Sequence, residues 1–246
     1  MKKALRTKDR LIAVIDASKR SELMKLLAAL GGRVSTVKLG LEMIYSVGTG
    51  AADIARRSGY DVMLDTKLMD IPNTVGGASR AIARLRPSFI TLYALGGREM
   101  IRASVEALEE QSRAQGSIRP LVMAVTVLTS LDDSDLESMG FSGGYMETAK
   151  RLAGTALEAG ADGIICSPSE VDGLRREYGH GFYIATPGIR LAGDDTADQK
   201  RVNTPEEAIS KGADMIIVGR SITGKKDMGQ AADLFLEKIE SALKKG

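Results

Sequence analysis

The sequence is poor in the residues that most often carry metal and redox chemistry. Its 246 residues include one cysteine, Cys166, one histidine, His180, and no tryptophan. A lone cysteine cannot form an intramolecular disulfide, and it suits a reducing compartment. Cys166 follows the apolar pair Ile164 and Ile165, so we interpret it as a small buried hydrophobe rather than a nucleophile. Histidine catalysis and a histidine-rich metal site are poorly supported, and we predict no metal ligands.

Long apolar runs and an excess of one charge are also missing. No stretch approaches the roughly 20 apolar residues that a membrane span needs. The first apolar run, residues 11–15, is short and ends at Asp16, which is unlike a signal peptide. The net charge is +2, so charge alone predicts no surface for nucleic acid. We therefore expect a cytoplasmic protein that binds neither membranes nor nucleic acid.

Short apolar runs rich in β-branched residues alternate with amphipathic stretches along the whole chain. The predicted strands are residues 11–16, 34–39, 61–67, 89–93, 121–126, 163–167, 182–186 and 215–219. The predicted helices are residues 22–30, 48–57, 75–85, 99–110, 145–158, 169–177, 205–211 and 231–244. Strands that each precede a helix, with no linker between them, predict a (β/α)₈ TIM barrel as one domain over residues 1–246. A doubly wound open sheet is the alternative, since strand number alone does not prove closure.

One stretch, residues 65–74, gathers charge where the third strand ends. Asp65 and Lys67 share a strand face with Met63, because side chains alternate along a strand. Asp70 follows, and Pro72 suits the first turn of a helix. Charges beside buried apolar residues persist mainly when they are paired or functional, so this stretch is our first candidate site.

Polar residues at other strand ends extend the candidate site, because catalytic groups of a TIM barrel lie at the carboxyl ends of its strands. Asp16 ends the first strand, and Lys38 lies on the inward face of the second, where a lysine is unusual. Thr129 lies in residues 126–130 after the fifth strand. Its hydroxyl could contact a ligand or cap the next helix, and the sequence leaves both open.

The seventh and eighth strands predict an anion site. The seventh runs into Pro187 and Arg190, and the eighth ends at Gly219 and Arg220. Loops at these two positions commonly bind phosphate in a TIM barrel, and an arginine can grip phosphate with two parallel hydrogen bonds. The polar loop of residues 191–198 is typical of a closing lid.

The motifs together resemble the orotidine 5′-phosphate decarboxylase family. The matching segments are Val37-Lys38-Leu39-Gly40, Asp65-x-Lys67-x-x-Asp70-Ile71-Pro72-x-Thr74, Leu128-Thr129-Ser130, Thr186-Pro187-Gly188-Ile189-Arg190, Asp198-Gln199-x-Arg201 and Val218-Gly219-Arg220-Ser221-Ile222. They follow the family's order and span the chain from Asp16 to Ile222. Met69 and Tyr93 depart from the pattern, since many members carry histidine at both positions.

The resemblance implies a role for each matching residue. Asp16 and Lys38 would bind the ribose hydroxyls, and Lys38 would also join a charged chain with Asp65, Lys67 and Asp70. Thr129 would contact the pyrimidine. Pro187 is also implied to bind the substrate. The phosphate would be bound by Arg190, Gln199, Gly219 and Arg220. Asp70 and Thr74 would reach into the site of a second subunit, because the family forms homodimers.

The resemblance also implies decarboxylation of orotidine 5′-phosphate to UMP without metal or organic cofactor, in pyrimidine biosynthesis. Lys67 would stabilise the ring carbanion and protonate it, and Asp65 would repel the substrate carboxylate or position its neighbours. Two alternatives remain open. Magnesium-dependent sugar-phosphate lyases of the same superfamily share Asp-x-Lys-x-x-Asp, but they carry a glutamate metal ligand where this chain has Lys38. A catalytically silent phosphate-binding barrel is expected to lack at least one of the four charged residues.

Overall fold

The computed structural model describes residues 2–191 and 203–244. Eight parallel strands close into a barrel in chain order, and β8 pairs with β1. The strands are β1 Leu11–Ile15, β2 Thr36–Leu39, β3 Asp61–Leu68, β4 Phe89–Tyr93, β5 Leu121–Val125, β6 Gly163–Ile165, β7 Tyr183–Thr186 and β8 Met215–Val218. The prediction of a TIM barrel is therefore confirmed, and an open sheet is wrong for this chain.

Helices follow the strands around the outside, and the eight predicted ones are present with shifted ends. In the described ranges the helices are α1 Arg20–Leu30, α2 Leu41–Ser46, α3 Ala51–Arg57, α4 Pro72–Ala83, α5 Gly97–Ala114, α6 Asp133–Ser138, α7 Gly144–Glu158, α8 Val171–Tyr178, α9 Pro205–Ser210, α10 Arg220–Thr223 and α11 Met228–Leu243. The first helical residue of α4 is Pro72, in the first turn where a missing N–H costs no hydrogen bond. The sequence analysis missed α2, α6 and α10, which lie in the loops after β2, β5 and β8.

Alternating side chains divide the core into two layers. In β1, Ile12 and Val14 pack inside the barrel, whereas Leu11, Ala13 and Ile15 pack against the surrounding helices. Burying one leucine or isoleucine side chain contributes roughly 1.5–3 kcal/mol, so both layers hold the strand faces in place. The same alternation turns the polar residues at the strand ends toward the barrel axis.

A buried ion cluster lies at the amino-terminal ends of β7 and β8. Asp214 accepts hydrogen bonds from Arg175 Nη2, at 2.7 Å, and from the backbone N–H of Ile184, at 2.8 Å. Its second carboxylate oxygen lies 2.5 Å from Lys2 Nζ. Three further Arg175 donors bind the backbone carbonyls of Gly179, Phe182 and Gly212. This cluster ties the N-terminal segment and α8 to the base of the barrel.

The longest of the described helices, α5, has 18 residues. Within residues 2–191 and 203–244, none is both long enough and apolar enough to span a membrane.

Candidate active site

The carboxyl-terminal ends of the strands surround a cavity of about 270 Å³. Its polar and glycine-rich lining consists of Asp16, Lys38, Asp65, Lys67, Thr129, Cys166, Pro187, Gly188, Arg190, Gly219 and Arg220. Most residues that the sequence analysis singled out therefore meet in one place. Four of the lining side chains are cationic and two are carboxylates, so the cavity suits an anionic ligand.

The floor of the cavity is a carboxylate held between two lysines. Lys38 Nζ and Lys67 Nζ each donate to Oδ2 of Asp65 at 2.6 Å. The Asp65 side chain is 7% exposed, whereas those of Lys38 and Lys67 are 13% and 25% exposed. Strand alternation predicted inward faces for all three residues, and their charged groups meet here.

Burial and charge act in opposite directions on Asp65. Burial alone would raise the pKa of this carboxyl, but the charges of Lys38 and Lys67 and the hydrogen bonds from both ammonium groups outweigh burial. The pKa is therefore lowered to about 2. Nearby, burial and then the charge of Asp65 raise the pKa of Tyr93. Asp65 is thus an anion throughout the neutral range, and the floor carries one net positive charge.

The third strand is irregular where it supplies these charges. Leu64 pairs with Ile90 and Leu68 pairs with Leu92, and the register shifts between the two pairs. Lys67 has a φ of 46°, in the left-handed region that non-glycine residues occupy at a cost of order 1–3 kcal/mol. Such strain concentrates at functional sites, and the sequence pattern, which predicted a regular strand, did not indicate it.

Asp16 and Lys38 lie beside each other at the ends of β1 and β2. A Cβ at Gly40 would lie 3.3 Å from Lys38 Nζ and 3.5 Å from Asp16 Oδ1. Gly40 therefore leaves room for both polar groups at the cavity wall. In the described part of the chain, no group of three or more His, Cys, Asp and Glu side chains could hold a metal ion.

The opposite side of the cavity carries the two arginines. Gly188 has a φ of 76°, which a residue with a side chain rarely adopts. Arg190 is fixed by hydrogen bonds from its backbone N to Asn203 O, at 3.1 Å, and from Nη1 to Ile189 O, at 2.9 Å. Gly219 precedes α10, and Arg220 is the first residue of that helix. The two strand ends predicted to form an anion site thus face one cavity.

Thr129 and Cys166 line the same cavity from β5 and β6. Asp132 caps α6 by accepting a hydrogen bond from Asp135 N, so capping is not the role of Thr129. Thr129 is 8% exposed at the cavity wall, where it could contact a ligand. Cys166 is 1% exposed within the apolar core, consistent with its interpretation as a small hydrophobe.

Two predicted residues, Asp70 and Thr74, do not line this cavity. Asp70 and Thr74 are exposed at the start of α4, and Asp70 Oδ1 accepts a hydrogen bond from the backbone N of Ile71 at 2.7 Å. Gln199 lies outside the described residues, as does nearly all of the lid predicted at residues 191–198. One chain alone therefore leaves Asp70 and Thr74 apart from the cavity.

Residues that sequence reasoning missed complete the site. The apolar wall consists of Val14, Val125, Val127, Leu128, Ile165 and Ile217. Strand alternation could have identified most of these residues as inward-facing. Thr91, which binds both Asp65 and Lys67, lies on the inward face of β4 and was also missed. Met69 and Tyr93, the two departures from the family pattern, both line a second, apolar cavity of about 140 Å³ beside the first.

Comparisons with known proteins agree with the geometry. The family model described as "Orotidine 5′-phosphate decarboxylase / HUMPS family" matches residues 9–235. A protein of Rhodospirillum rubrum named orotidine 5′-phosphate decarboxylase is 41% identical over 240 residues, which cover 97% of each chain. One of Paramagnetospirillum magneticum with the same name is 42% identical over 218 residues, covering 89% of this chain and 93% of that protein.

A solved structure extends the similarity to the fold. The crystal structure of orotidine 5′-phosphate decarboxylase from Lactobacillus acidophilus superposes with a TM-score of 0.83 at 35% sequence identity. The match covers 94% of this chain and 99% of that one. Sequence and structure thus place the chain beside the same group of proteins over almost its entire length.

Proposed function

The chain belongs to the orotidine 5′-phosphate decarboxylase / HUMPS family, and we propose that it decarboxylates orotidine 5′-phosphate to UMP in pyrimidine biosynthesis without a metal or organic cofactor. One observation carries the choice within the family. The ammonium group of Lys38 lies 2.6 Å from Asp65, where the magnesium-dependent members are expected to carry a metal-binding glutamate. A cation cannot be a ligand of Mg²⁺. The names of the similar proteins support the same choice.

Substrate binding follows from the two ends of the cavity. Arg190 and Arg220, with the backbone at Gly219, would grip the phosphate, joined by Gln199 from outside the described residues. Asp16 and Lys38 would bind the ribose hydroxyls, since their polar atoms both lie close to Gly40 at the cavity wall. Pro187 and Thr129 would contact the pyrimidine. The reacting carboxylate would then lie over the charged floor.

Lys67 would both stabilise the charge that develops in the reaction and donate the proton. When the bond to the carboxylate breaks, carbon dioxide leaves and the electron pair stays on the ring carbon, in the ring plane where no π system can delocalise it. The ammonium of Lys67 would stabilise that charge and then donate its proton to the same carbon. Asp65 holds the ammonium in place through a 2.6 Å hydrogen bond. The phosphate, bound away from the reacting carbon, would fix the substrate and favour closure.

The activity is tested with purified protein and orotidine 5′-phosphate, by following the loss of substrate absorbance after exhaustive treatment with EDTA. We expect full turnover in the chelated sample. Turnover that disappears on chelation and returns with Mg²⁺ would transfer the chain to the lyase branch of its family. If neither the chelated nor the metal-loaded protein turned over the substrate, the remaining alternative would be a catalytically silent phosphate-binding barrel.

The site would be completed by a second copy of the chain. Asp70 and Thr74 are exposed outside their own cavity, and Ile71 and Met69 beside them are 66% and 56% exposed. We propose that Asp70 and Thr74 enter the site of the partner subunit in a homodimer. Each site would then combine Lys67 of one subunit with Asp70 of the other.

Subunit mixing tests this arrangement. Lys67→Ala and Asp70→Ala chains, each nearly inactive alone, are mixed and allowed to exchange. If Asp70 acts across the interface, each heterodimer has one intact site, and random pairing restores roughly a quarter of wild-type activity. Exchanged mixtures that stay inactive would show that Asp70 acts within its own chain. Each variant mixed with itself is the control.

A further inference from the structure

Thr91 lies in the middle of β4, directly beneath the charged floor. Its side chain is fully buried, at 0% exposure, and it faces the barrel axis together with Phe89 and Tyr93. Because Leu64 pairs with Ile90 and Leu68 with Leu92, residues 65–67 of β3 lie opposite Thr91 alone. The irregularity of β3 therefore centres on this threonine.

Thr91 binds every residue of that irregular segment. Its Oγ1 donates to Oδ1 of Asp65 at 2.8 Å and accepts from the backbone N of Lys67 at 2.9 Å. Its backbone carbonyl accepts from Oγ1 of Thr66 at 2.9 Å. The hydroxyl thus uses its one proton on the carboxylate and a lone pair on the main chain of the proton donor.

These contacts fix two features of the floor. Oδ1 of Asp65 is held by Thr91, so Oδ2 faces Lys38 and Lys67, and rotation of the carboxylate would break one set of bonds. The hydrogen bond to the Lys67 N–H holds the left-handed backbone, with its φ of 46°. Through this bond, the side chain of Thr91 ties the backbone N–H of Lys67 to β4.

We propose that Thr91 is a positioning residue for decarboxylation, whose hydroxyl aligns the Asp65 carboxylate and the Lys67 ammonium before the substrate binds. The proposal rests on the proposed function. Thr91 does not line the cavity, so it acts through its two neighbours and not on the substrate. Misplacement of a catalytic group by about 1 Å can lower a rate about 100-fold, and substrate binding by distant groups need not change.

Thr91→Val tests the hydroxyl at nearly constant shape. The valine leaves Oδ1 of Asp65 and the N–H of Lys67 without their partner in a buried site. We expect kcat to fall about 100-fold, with KM and the dissociation constant of UMP within about 3-fold of wild type. Thr91→Ser, which keeps the hydroxyl, should retain kcat within about 3-fold.

Thr148→Val is the matched control. Thr148 is also buried, at 2% exposure, but its Oγ1 has no hydrogen-bond partner among the described residues, and it lies on α7 outside the catalytic cavity. Its kcat should match that of wild type. If wild type and this control fail to decarboxylate the substrate, the proposed function is wrong, independently of Thr91.

The outcome for Thr91 is read from kcat and KM together. A folded valine variant with kcat within 3-fold of wild type would overturn the proposal. So would a serine variant as slow as the valine variant, because the hydroxyl would then not be the relevant group. If the valine variant does not fold, Thr91→Cys, whose thiol is only a weak donor and acceptor, takes its place with the same criteria.

Discussion

Two aspartates in this barrel each lie between two cations, one at either end of the strands. Asp65 binds Lys38 and Lys67 at the carboxyl end, and Asp214 binds Lys2 and Arg175 at the amino end. The formal charges are the same. The two clusters differ in what remains of their hydrogen-bonding capacity, and that difference separates a candidate catalytic site from a structural one.

The cluster at the amino end uses most of its hydrogen-bonding capacity within the fold. Arg175 binds Asp214 and three backbone carbonyls, which suits the rigid fork of a guanidinium. Lys2 also lies over the ring of Tyr183, 5.5 Å from its centroid. Ions whose donors and acceptors are mostly used within the protein contribute to the fold and have little left for a ligand.

The two lysines of the cluster at the carboxyl end have hydrogen-bond donors that Asp65 does not use. Within the described residues, Lys38 Nζ and Lys67 Nζ each bind Asp65 alone, although an ammonium group has three donors. Both lysines line the cavity. The free donors and the surplus positive charge are therefore available to an anionic substrate, and substitutions at the two ends should separate activity from stability.

The largest expected effect is on turnover. Lys67→Ala removes both the charge that stabilises the carbanion and the proton donor, so kcat should fall by at least about 10⁴-fold. Stability should fall less than in a variant that loses Arg175, because the Lys67 side chain is 25% exposed and makes a single hydrogen bond, to Asp65. Steady-state kinetics and thermal unfolding measure the two effects, and Lys25→Ala, an exposed lysine on α1, is the control. More than about a tenth of wild-type turnover would exclude Lys67 as the catalytic acid.

At the amino end, we expect a loss of stability with little change in turnover. Arg175→Met keeps the bulk of the side chain but leaves a buried carboxylate with one cation fewer, so the free energy of unfolding should fall by about 3–5 kcal/mol. The kcat of the folded fraction should stay within 2-fold of wild type. Arg176→Met on the same helix breaks only an exposed pair with Asp172 and should change stability by less than about 1 kcal/mol. A large loss of kcat in folded Arg175→Met would break the distinction between the two clusters.

A smaller effect is expected at the anion end of the cavity. Arg220→Ala should lower kcat/KM for the nucleotide about 100-fold, close to 3 kcal/mol, as expected for losing charged hydrogen bonds to phosphate. Phosphite added with the phosphate-free nucleoside should stimulate turnover by wild type and much less by the variant. Arg57→Ala, at the exposed end of α3, is the control. Unchanged nucleotide kinetics would remove Arg220 from the phosphate site.

The sequence predicted the parts of this site that depend on local pattern. Strand alternation placed Asp65 and Lys67 on one inward face and Lys38 on another, and closure of the barrel brought them together. The irregularity of β3 was not predictable, because it depends on the register between β3 and β4 and not on residues near in sequence. Thr91 was missed for the same reason, since only that register sets it opposite residues 65–67. Short helices such as α6 and α10 lack the length over which a helical period can be recognised.

The smallest expected effect concerns the pH dependence of stability. The pKa of Asp65 is lowered from 3.8 to about 2 in the folded protein, so this carboxyl stabilises the fold above its unfolded pKa. The stabilisation, about 2 kcal/mol, should be constant at neutral pH and lost as the pH falls from about 4 through about 2. Because the Asp65 side chain is buried, solvent does little to screen its attraction to Lys38 and Lys67. The measurement is the difference in unfolding free energy between wild type and Asp65→Asn across this pH range. A difference that instead changes between pH 5 and 8 would mean that Asp65 is not held as an anion between two ammonium groups, and the contrast with Asp214 would lose its basis.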